Sequence, residues 1–268
     1  MWEGEQSRLV LSRDHELNMT DRAAEISPQI YARIGGVLYL IIIVAGGFAE
    51  GIVRSRLIVP GDAAATARNI MASGWTWRIA FAGDMAIYVC AVPLVLIFYV
   101  LLSPVNRNLA LLAVFFNLVS IAIEGVNALS HFAPLLLLGG ADYLKVFDLH
   151  QLQALALLFI NLHAYGFGIS LTIFSFVLLL EGYLIFNSGY FPKTIGVLVA
   201  IASICYLTDS LALFLAPAFQ AKIFPAILVP SFIGELSLCL WLLVMGVKVP
   251  KWEERANRLA RYGSATPS

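Results

Sequence analysis

The sequence has few charged residues and no excess of either sign. Asp, Glu, Lys and Arg make up 13% of its 268 residues, against about 25% in soluble globular domains. Hydrophobic residues make up 60%, and the mean hydropathy is +0.85, so the composition argues against a soluble globular protein. The 17 basic residues balance the 17 acidic ones, and no basic field exists to hold nucleic acid. We therefore expect a membrane protein that does not bind nucleic acid.

Cysteine is also scarce, and its three positions follow no recognisable spacing. Cys90, Cys205 and Cys239 each fall inside a long apolar run, which indicates small buried hydrophobic residues rather than disulfides or a zinc knuckle. No lysine lies inside an apolar run, so a retinal Schiff base has no residue to use. The sequence also contains neither a Walker loop nor a Gly-x-Ser-x-Gly elbow. ATP-driven transport by this chain alone is thereby excluded.

Long apolar runs, in contrast, are abundant. A helix needs about 20 apolar residues to cross about 30 Å of hydrocarbon, and six segments reach that length. They are Tyr31–Val53, Trp75–Leu102, Leu109–Leu138, Gln151–Phe186, Thr194–Ala216 and Phe224–Val247. The predicted fold is an all-α polytopic membrane protein, a bundle of six transmembrane helices over residues 31–247. A polar segment, residues 1–30, precedes the bundle without a signal peptide, and a basic tail, residues 248–268, follows it.

The loop cations predict the orientation of the bundle. With six spans, the N-terminus, two of the loops and the C-terminal tail share one side of the membrane. That side holds Arg8, Arg13, Arg22, Arg33, Arg107, Lys193, Lys248, Lys251, Arg255, Arg258 and Arg261, whereas the other holds Arg54, Arg56, Arg68, Arg78, Lys145 and Lys222. Because the side with both termini has eleven cations and the other side has six, both termini are predicted to be cytoplasmic. The tail is expected to form an interfacial helix or a solvated basic segment.

Several ionisable side chains lie within the predicted spans, where each costs roughly 2.5–3.5 kcal/mol on insertion scales. They are Glu50, Asp84, Glu124, His131, His163, Asp209 and Glu235. The predicted orientation places them all in the outer half of the membrane, whereas Glu181 is close enough to the inner end of its span to snorkel. Glu50 is four residues from Arg54, the spacing of a helical ion pair. The other carboxylates would be protonated, solvated, bound to a cation, or paired across helices with Arg78 or a histidine.

The third span carries the longest polar pattern. Asn117, Ser120, Glu124, Asn127 and His131 follow one another at spacings of three, four, three and four residues. This spacing places them in one stripe along one helix face. Because the other spans carry shorter polar faces at similar depth, we predict a central, outward-open polar cavity.

The predicted cavity favours an ion-linked or proton-linked function. Its expected binding residues are Asp84, Glu124, Asn127, His131, His163, Asp209 and Glu235, and its ligand would be a cation, protons or a small polar molecule. In a binding or transport protein of this kind, histidines would titrate near neutral pH. Two alternatives stay open. A divalent transition metal held by His131, His163, Asp209 and Glu235 would indicate an intramembrane hydrolase, and polar faces that pair with another membrane protein would indicate a non-catalytic accessory subunit.

Several stretches of the sequence resemble one family, colinearly through loops as well as helices. They are RIGGVLYLIIIVAGGFAE from Arg33 to Glu50, SPVNRNLALLAVF, LLLGGADYLKVFDLHQLQALALLF, NLHAYGFGISL, GYLIFNSGYFPK and FIGELSLCLWLLV. Over roughly Ile30 to Gly246 the chain is similar to the bacterial membrane-protein family called domain of unknown function 4386. The resemblance implies a six-helix bundle of unassigned biochemistry in a bacterial inner membrane. The acids and histidine that it implies are Glu50, Asp84, His163, Asp209 and Glu235.

Overall fold

The computed structural model describes residues 27–264, with side chains described up to residue 259. Within that part the chain is helical and contains no strand. The helices are α1 (Pro28–Gly46), α2 (Ala63–Ala72), α3 (Gly74–Leu102), α4 (Arg107–Leu137), α5 (Leu149–Ser188), α6 (Lys193–Leu215), α7 (Pro217–Ile223), α8 (Leu228–Val244) and α9 (Val249–Ser264). A π-helical segment (Gly47–Arg54) and a short turn (Ser55–Leu57) extend α1, and a 3₁₀ turn (Asp142–Leu144) precedes α5. Most of the predicted N-terminal polar segment lies outside the described residues.

The lengths and apolar character of the helices confirm an all-α, multi-pass membrane fold. Five segments suffice to span a membrane: Pro28–Leu57, Gly74–Leu102, Arg107–Leu137, Leu149–Ser188 and Lys193–Leu215. The sixth predicted span, Phe224–Val247, is shorter in the structure and less regular. Here α8 has 17 residues and follows α7 at a bend of 58°. The pair therefore forms either one broken span or a re-entrant segment.

Glycines let neighbouring helices approach until their backbones touch. A Cβ atom built on Gly196 of α6 would lie 2.7 Å from the backbone nitrogen of Phe186 and 2.8 Å from the carbonyl oxygen of Gly182, both in α5. Gly36 of α1 meets the backbone of Leu243 in α8 equally closely, at 2.7 Å. Close packing of small residues holds membrane helices together, because lipid supplies no hydrophobic force between them.

Two helix starts are capped by acidic side chains of the local sequence. Asp62 caps α2 by accepting a hydrogen bond from the backbone nitrogen of Ala65 at 2.8 Å. Asp148 and Gln151 form a reciprocal capping box at the start of α5. Such caps satisfy backbone N–H groups that have no partner inside the helix. They are sufficiently explained by helix initiation and need no functional role.

The largest apolar core lies at the end of the bundle where α1 begins and α3 ends. It includes Leu101, Ile185, Tyr190 and Leu242, all of them fully buried. The tail helix α9 docks on this end, because the indole nitrogen of Trp252 donates a hydrogen bond to the carbonyl oxygen of Leu101 at 3.1 Å. The structure thus places a helix in the tail segment, packed against the bundle.

Candidate functional site

Arg54 joins two carboxylates at the end of the first span. It lies in the π-helical continuation of α1, a backbone irregularity that is frequent at functional sites. Its Nη1 atom is 2.6 Å from Glu50 Oε1 and 3.2 Å from Asp84 Oδ1, and Nη2 contacts Asp84 Oδ2. Asp84 comes from the middle of α3, so the contact crosses between two helices. The guanidinium and Asp84 are buried, whereas the Glu50 side chain is 60% exposed.

Two histidines stack beside this pair. The rings of His131 on α4 and His163 on α5 have centroids 3.3 Å apart and planes inclined by 23°. His131 Nδ1 lies 3.8 Å from Asp84 Oδ2, and it is buried without a hydrogen-bond partner. Trp77 holds the backbone of this turn, since its indole nitrogen donates to the His131 carbonyl oxygen at 2.9 Å. The imidazole of His131 therefore sits between Asp84 and the second histidine.

Asn127 fixes the position of His163. Its side-chain amide donates to the His163 carbonyl oxygen at 3.0 Å, and His163 Nδ1 lies 3.3 Å from the Asn127 carbonyl oxygen. The Asn127 amide occupies the space where a side chain at Gly166 would stand. About two helical turns away along both helices, Ser120 of α4 and Ser170 of α5 exchange hydrogen bonds across the same interface. The polar stripe predicted on the third span thus packs against α5.

The potential ligand atoms of Glu50, His131 and His163 all lie within 4.8 Å of one another. Around a tetrahedral zinc with bonds of about 2.0–2.2 Å, ligand atoms are about 3.3–3.6 Å apart. Side-chain movements of about an ångström would therefore close these three groups on one ion. Glu50 is the exposed member of the trio, so the site opens on its side. We call Glu50, Arg54, Asp84, His131 and His163 the Arg54 cluster.

The remaining predicted site residues are placed elsewhere or only at the edge of this cluster. Glu124 is half-buried one turn from Asn127, and its Oε1 atom has no hydrogen-bond partner. Asp209 accepts a hydrogen bond from the Gln220 side chain at 3.0 Å. Glu235 accepts hydrogen bonds from two tyrosines. Among residues 27–259, Glu50, His131 and His163 form the one group with the spacing of a three-ligand metal site; the structure does not bring Asp209 and Glu235 to the histidines.

The expected open cavity also differs from the observed arrangement. His131 is 2% exposed and Asp84 6%, so these side chains are packed against one another rather than lining a wide aqueous space. The sequence spacing pairs Arg54 with Glu50 alone. In the structure, Arg54 also contacts Asp84 and acts as its counterion. Neither Arg78 nor a protonated histidine is required for that role.

Glu235 and Glu181 are two further carboxyl groups within the bundle, apart from the Arg54 cluster. The phenols of Tyr39 and Tyr206 donate to opposite oxygens of Glu235, the first at 2.9 Å, and so tie α8 to α1 and α6. Glu181 is 5% exposed and makes no hydrogen bond or ion pair among the described residues. It faces a cavity of about 10 Å³ that Asn117 also lines, room for about one water molecule. The expectation that Glu181 snorkels is therefore wrong.

Comparison with known proteins identifies a family without a described activity. The family model described as "Domain of unknown function (DUF4386)" matches residues 34–246. An uncharacterized protein of Archaeoglobus fulgidus is 28% identical over 167 residues, which is 62% of this chain and 83% of the relative. No solved structure matches the chain.

Proposed function

We propose that this chain, which belongs to the DUF4386 family, is a multi-pass membrane protein that binds a divalent transition-metal ion at the Arg54 cluster. Glu50, His131 and His163 would be the ligands. The observation that carries the proposal is the convergence of these three side chains, from three different helical segments, within 4.8 Å. Imidazole and carboxylate together suit zinc and neighbouring divalent metals.

The outer partners of the histidines support the same assignment. A metal-bound histidine commonly donates its second ring N–H to a carboxylate or a backbone carbonyl, which fixes its tautomer. His131 Nδ1 faces Asp84 and His163 Nδ1 faces the Asn127 carbonyl oxygen. A proton held on His163 Nδ1 leaves the Nε2 atom of that ring a lone pair for a cation. His131 would take the same tautomer if its ring moved closer to Asp84 Oδ2, from which its Nδ1 atom is 3.8 Å away.

The charges of the cluster favour a cation in the site. Glu50 and Asp84 contribute two negative charges against the one positive charge of Arg54, and the histidines are neutral when they act as ligands. Arg54 Nη2 contacts Asp84 alone, so that carboxylate stays neutralised if Glu50 leaves the guanidinium. Glu50 would then exchange its contact with Arg54 for a bond to the metal. This exchange makes ion-linked binding or transport the function that we assign to the site.

The orientation of the chain is a further part of this proposal. The excess of loop cations supports cytoplasmic termini in a bacterial inner membrane. With that orientation, the exposed Glu50 edge of the cluster belongs to the outer half of the membrane. Labelling of single cysteines introduced at Arg68 and at Lys251 with a membrane-impermeant reagent tests this arrangement. We expect labelling of intact cells at position 68 alone.

Metal content is the decisive measurement. Protein purified in detergent without chelator should contain about one transition-metal ion per chain, or take up one Co²⁺ with a ligand-field absorption spectrum. The variants His131→Ala, His163→Ala and Glu50→Gln should lose most of this binding. The matched control is Asp209→Asn, because Asp209 bonds to Gln220 away from the cluster. Metal-free protein that gives no Co²⁺ spectrum, or equal loss in the control, would contradict the proposal.

A further inference from the structure

A basic groove lies between the tail helix α9 and the end of α5. Its volume is about 210 Å³. The residues that line it are Ser188, Gly189, Lys251, Glu254, Arg255 and Arg258. Three cations thus face one carboxylate, so the groove has a formal charge of +2. It is separate from the Arg54 cluster, which lies near the opposite end of the bundle.

The cations of the groove are incompletely paired. Arg258 contacts Glu254 at 2.8 Å, but both side chains are 67% exposed, so this pair is weak. Arg255 donates to the Ser188 carbonyl oxygen at 3.4 Å, which is longer than a good hydrogen bond. Lys251 makes no ion pair with any described side chain. The groove therefore offers N–H groups of three side chains to an anion.

The position of the groove connects it to the lipid phase. Ser188 is the last residue of the fourth span, and Trp252 fixes α9 across this end of the bundle. On the membrane side of Ser188, α5 exposes the large side chains of Leu179, Tyr183 and Phe186. An amphiphile whose anionic group sits in the groove could lay its acyl chains along this apolar surface. A free anion would use only the polar part.

We propose that the α9 groove binds the phosphate-bearing headgroup of an anionic phospholipid. Basic pockets at the ends of membrane helices select such headgroups through charge and hydrogen bonds, and guanidinium groups suit phosphate oxygens. Lys251, Arg255 and Arg258 contact the phosphate, and Glu254 weakens binding by its negative charge. Bound lipid would join α9 to the bundle in addition to the Trp252 contact.

Native mass spectrometry of the full chain in detergent tests this proposal. The probes are phosphatidylglycerol and phosphatidylcholine with the same acyl chains, with inorganic phosphate as the competitor. We expect phosphatidylglycerol to bind more tightly. The triple variant Lys251→Gln/Arg255→Gln/Arg258→Gln should weaken its binding about tenfold or more, since each basic residue near anionic lipid contributes appreciably. The single variant Glu254→Gln should strengthen it severalfold.

The control removes three exposed cations from the other end of the bundle, as Arg56→Gln/Arg68→Gln/Lys222→Gln. It should leave the preference for phosphatidylglycerol unchanged. Equal binding of both lipids, an equal loss in the control, or a loss with Glu254→Gln would overturn the proposal. Displacement by millimolar inorganic phosphate would do so too, because it would assign the groove to a small anion. If the triple variant fails to fold, the response of Glu254→Gln decides.

Discussion

The buried pair of Arg54 and Asp84 gives the most direct test of the described geometry. Asp84 is 6% exposed, and Arg54 is the one Arg or Lys in contact with it among residues 27–259. The substitution Arg54→Leu removes this counterion. Breaking a buried pair on one side costs about 3–5 kcal/mol of unfolding free energy. The reverse substitution, Asp84→Leu, should cost about as much, because Arg54 is itself only 3% exposed.

The same geometry predicts two much smaller effects. Glu50→Gln should cost about 1 kcal/mol or less, because the Glu50 side chain is 60% exposed. The double variant Arg54→Leu/Asp84→Leu should be more stable than either single variant, since replacing both members of a buried pair by apolar groups is often neutral. Asp84 and Arg54 are therefore expected to couple strongly in a double-mutant cycle. The coupling between Glu50 and Arg54 is expected to be weak.

The assay is reversible unfolding in mixed detergent micelles, followed by circular dichroism, with chelator present so that no metal contributes. Retained helical content and a single gel-filtration peak are the checks on folding. Additive costs of the two single substitutions, or a Glu50→Gln cost equal to that of Arg54→Leu, would refute the inference that Arg54 and Asp84 form the buried core of the cluster.

Three further predictions concern positions outside the cluster. Glu181→Leu should stabilise the protein by about 1–3 kcal/mol in the same unfolding assay, because it replaces a buried carboxyl group that has no partner among the described residues with an apolar side chain; unchanged or lower stability would show that Glu181 has a partner. Gly196→Ala should lower the melting temperature through its backbone contacts with α5, whereas Gly125→Ala should not, since nothing lies within 4 Å of the added atom; similar effects at both positions would contradict the close packing. Burial raises the pKa of Tyr190, which lies between spans, above the ordinary value of about 10. The contribution of Tyr190 to the free energy of unfolding is therefore complete below pH values of about 10 and is lost as the pH rises through the folded-state pKa. In the same unfolding assay, Tyr190→Phe should lose less stability than the unmodified protein at alkaline pH.

The helices were predictable from the sequence because hydropathy is a local property. Five predicted spans coincide with long helices to within about four residues at each end, when the first span is taken as Pro28–Leu57, which is α1 with its continuation. The sixth differs because the chain bends by 58° between Ile223 and Leu228, and a hydropathy window averages over such a break. The spacing of four residues likewise predicted the contact between Glu50 and Arg54, since both lie on one helical segment.

Contacts between helices were harder to predict, since they depend on which helix faces pack together. Arg54 reaches Asp84 only because the end of the first span lies against the middle of α3, 30 residues further along the chain. Glu181 has the sequence context of a snorkelling residue, yet its face of α5 turns inward, toward α3 and α4. The spacing on the third span placed the polar residues on one helix face, but Asn127 and His131 pack against α5 and its histidine instead of lining the predicted open cavity.

Arg54 also explains how a cluster of largely buried charges could take up an ion under the proposed function. A single guanidinium serves two carboxylates of very different exposure: Asp84, which is buried, and Glu50, which is not. Releasing Asp84 would strand a charge in the interior, whereas releasing Glu50 frees a side chain that is already largely exposed. Exchanging the contact between Arg54 and Glu50 for a bond to an ion therefore costs less than breaking the contact between Arg54 and Asp84. Under the proposed function, an entering cation would compete only for Glu50, while Arg54 and Asp84 would stay paired.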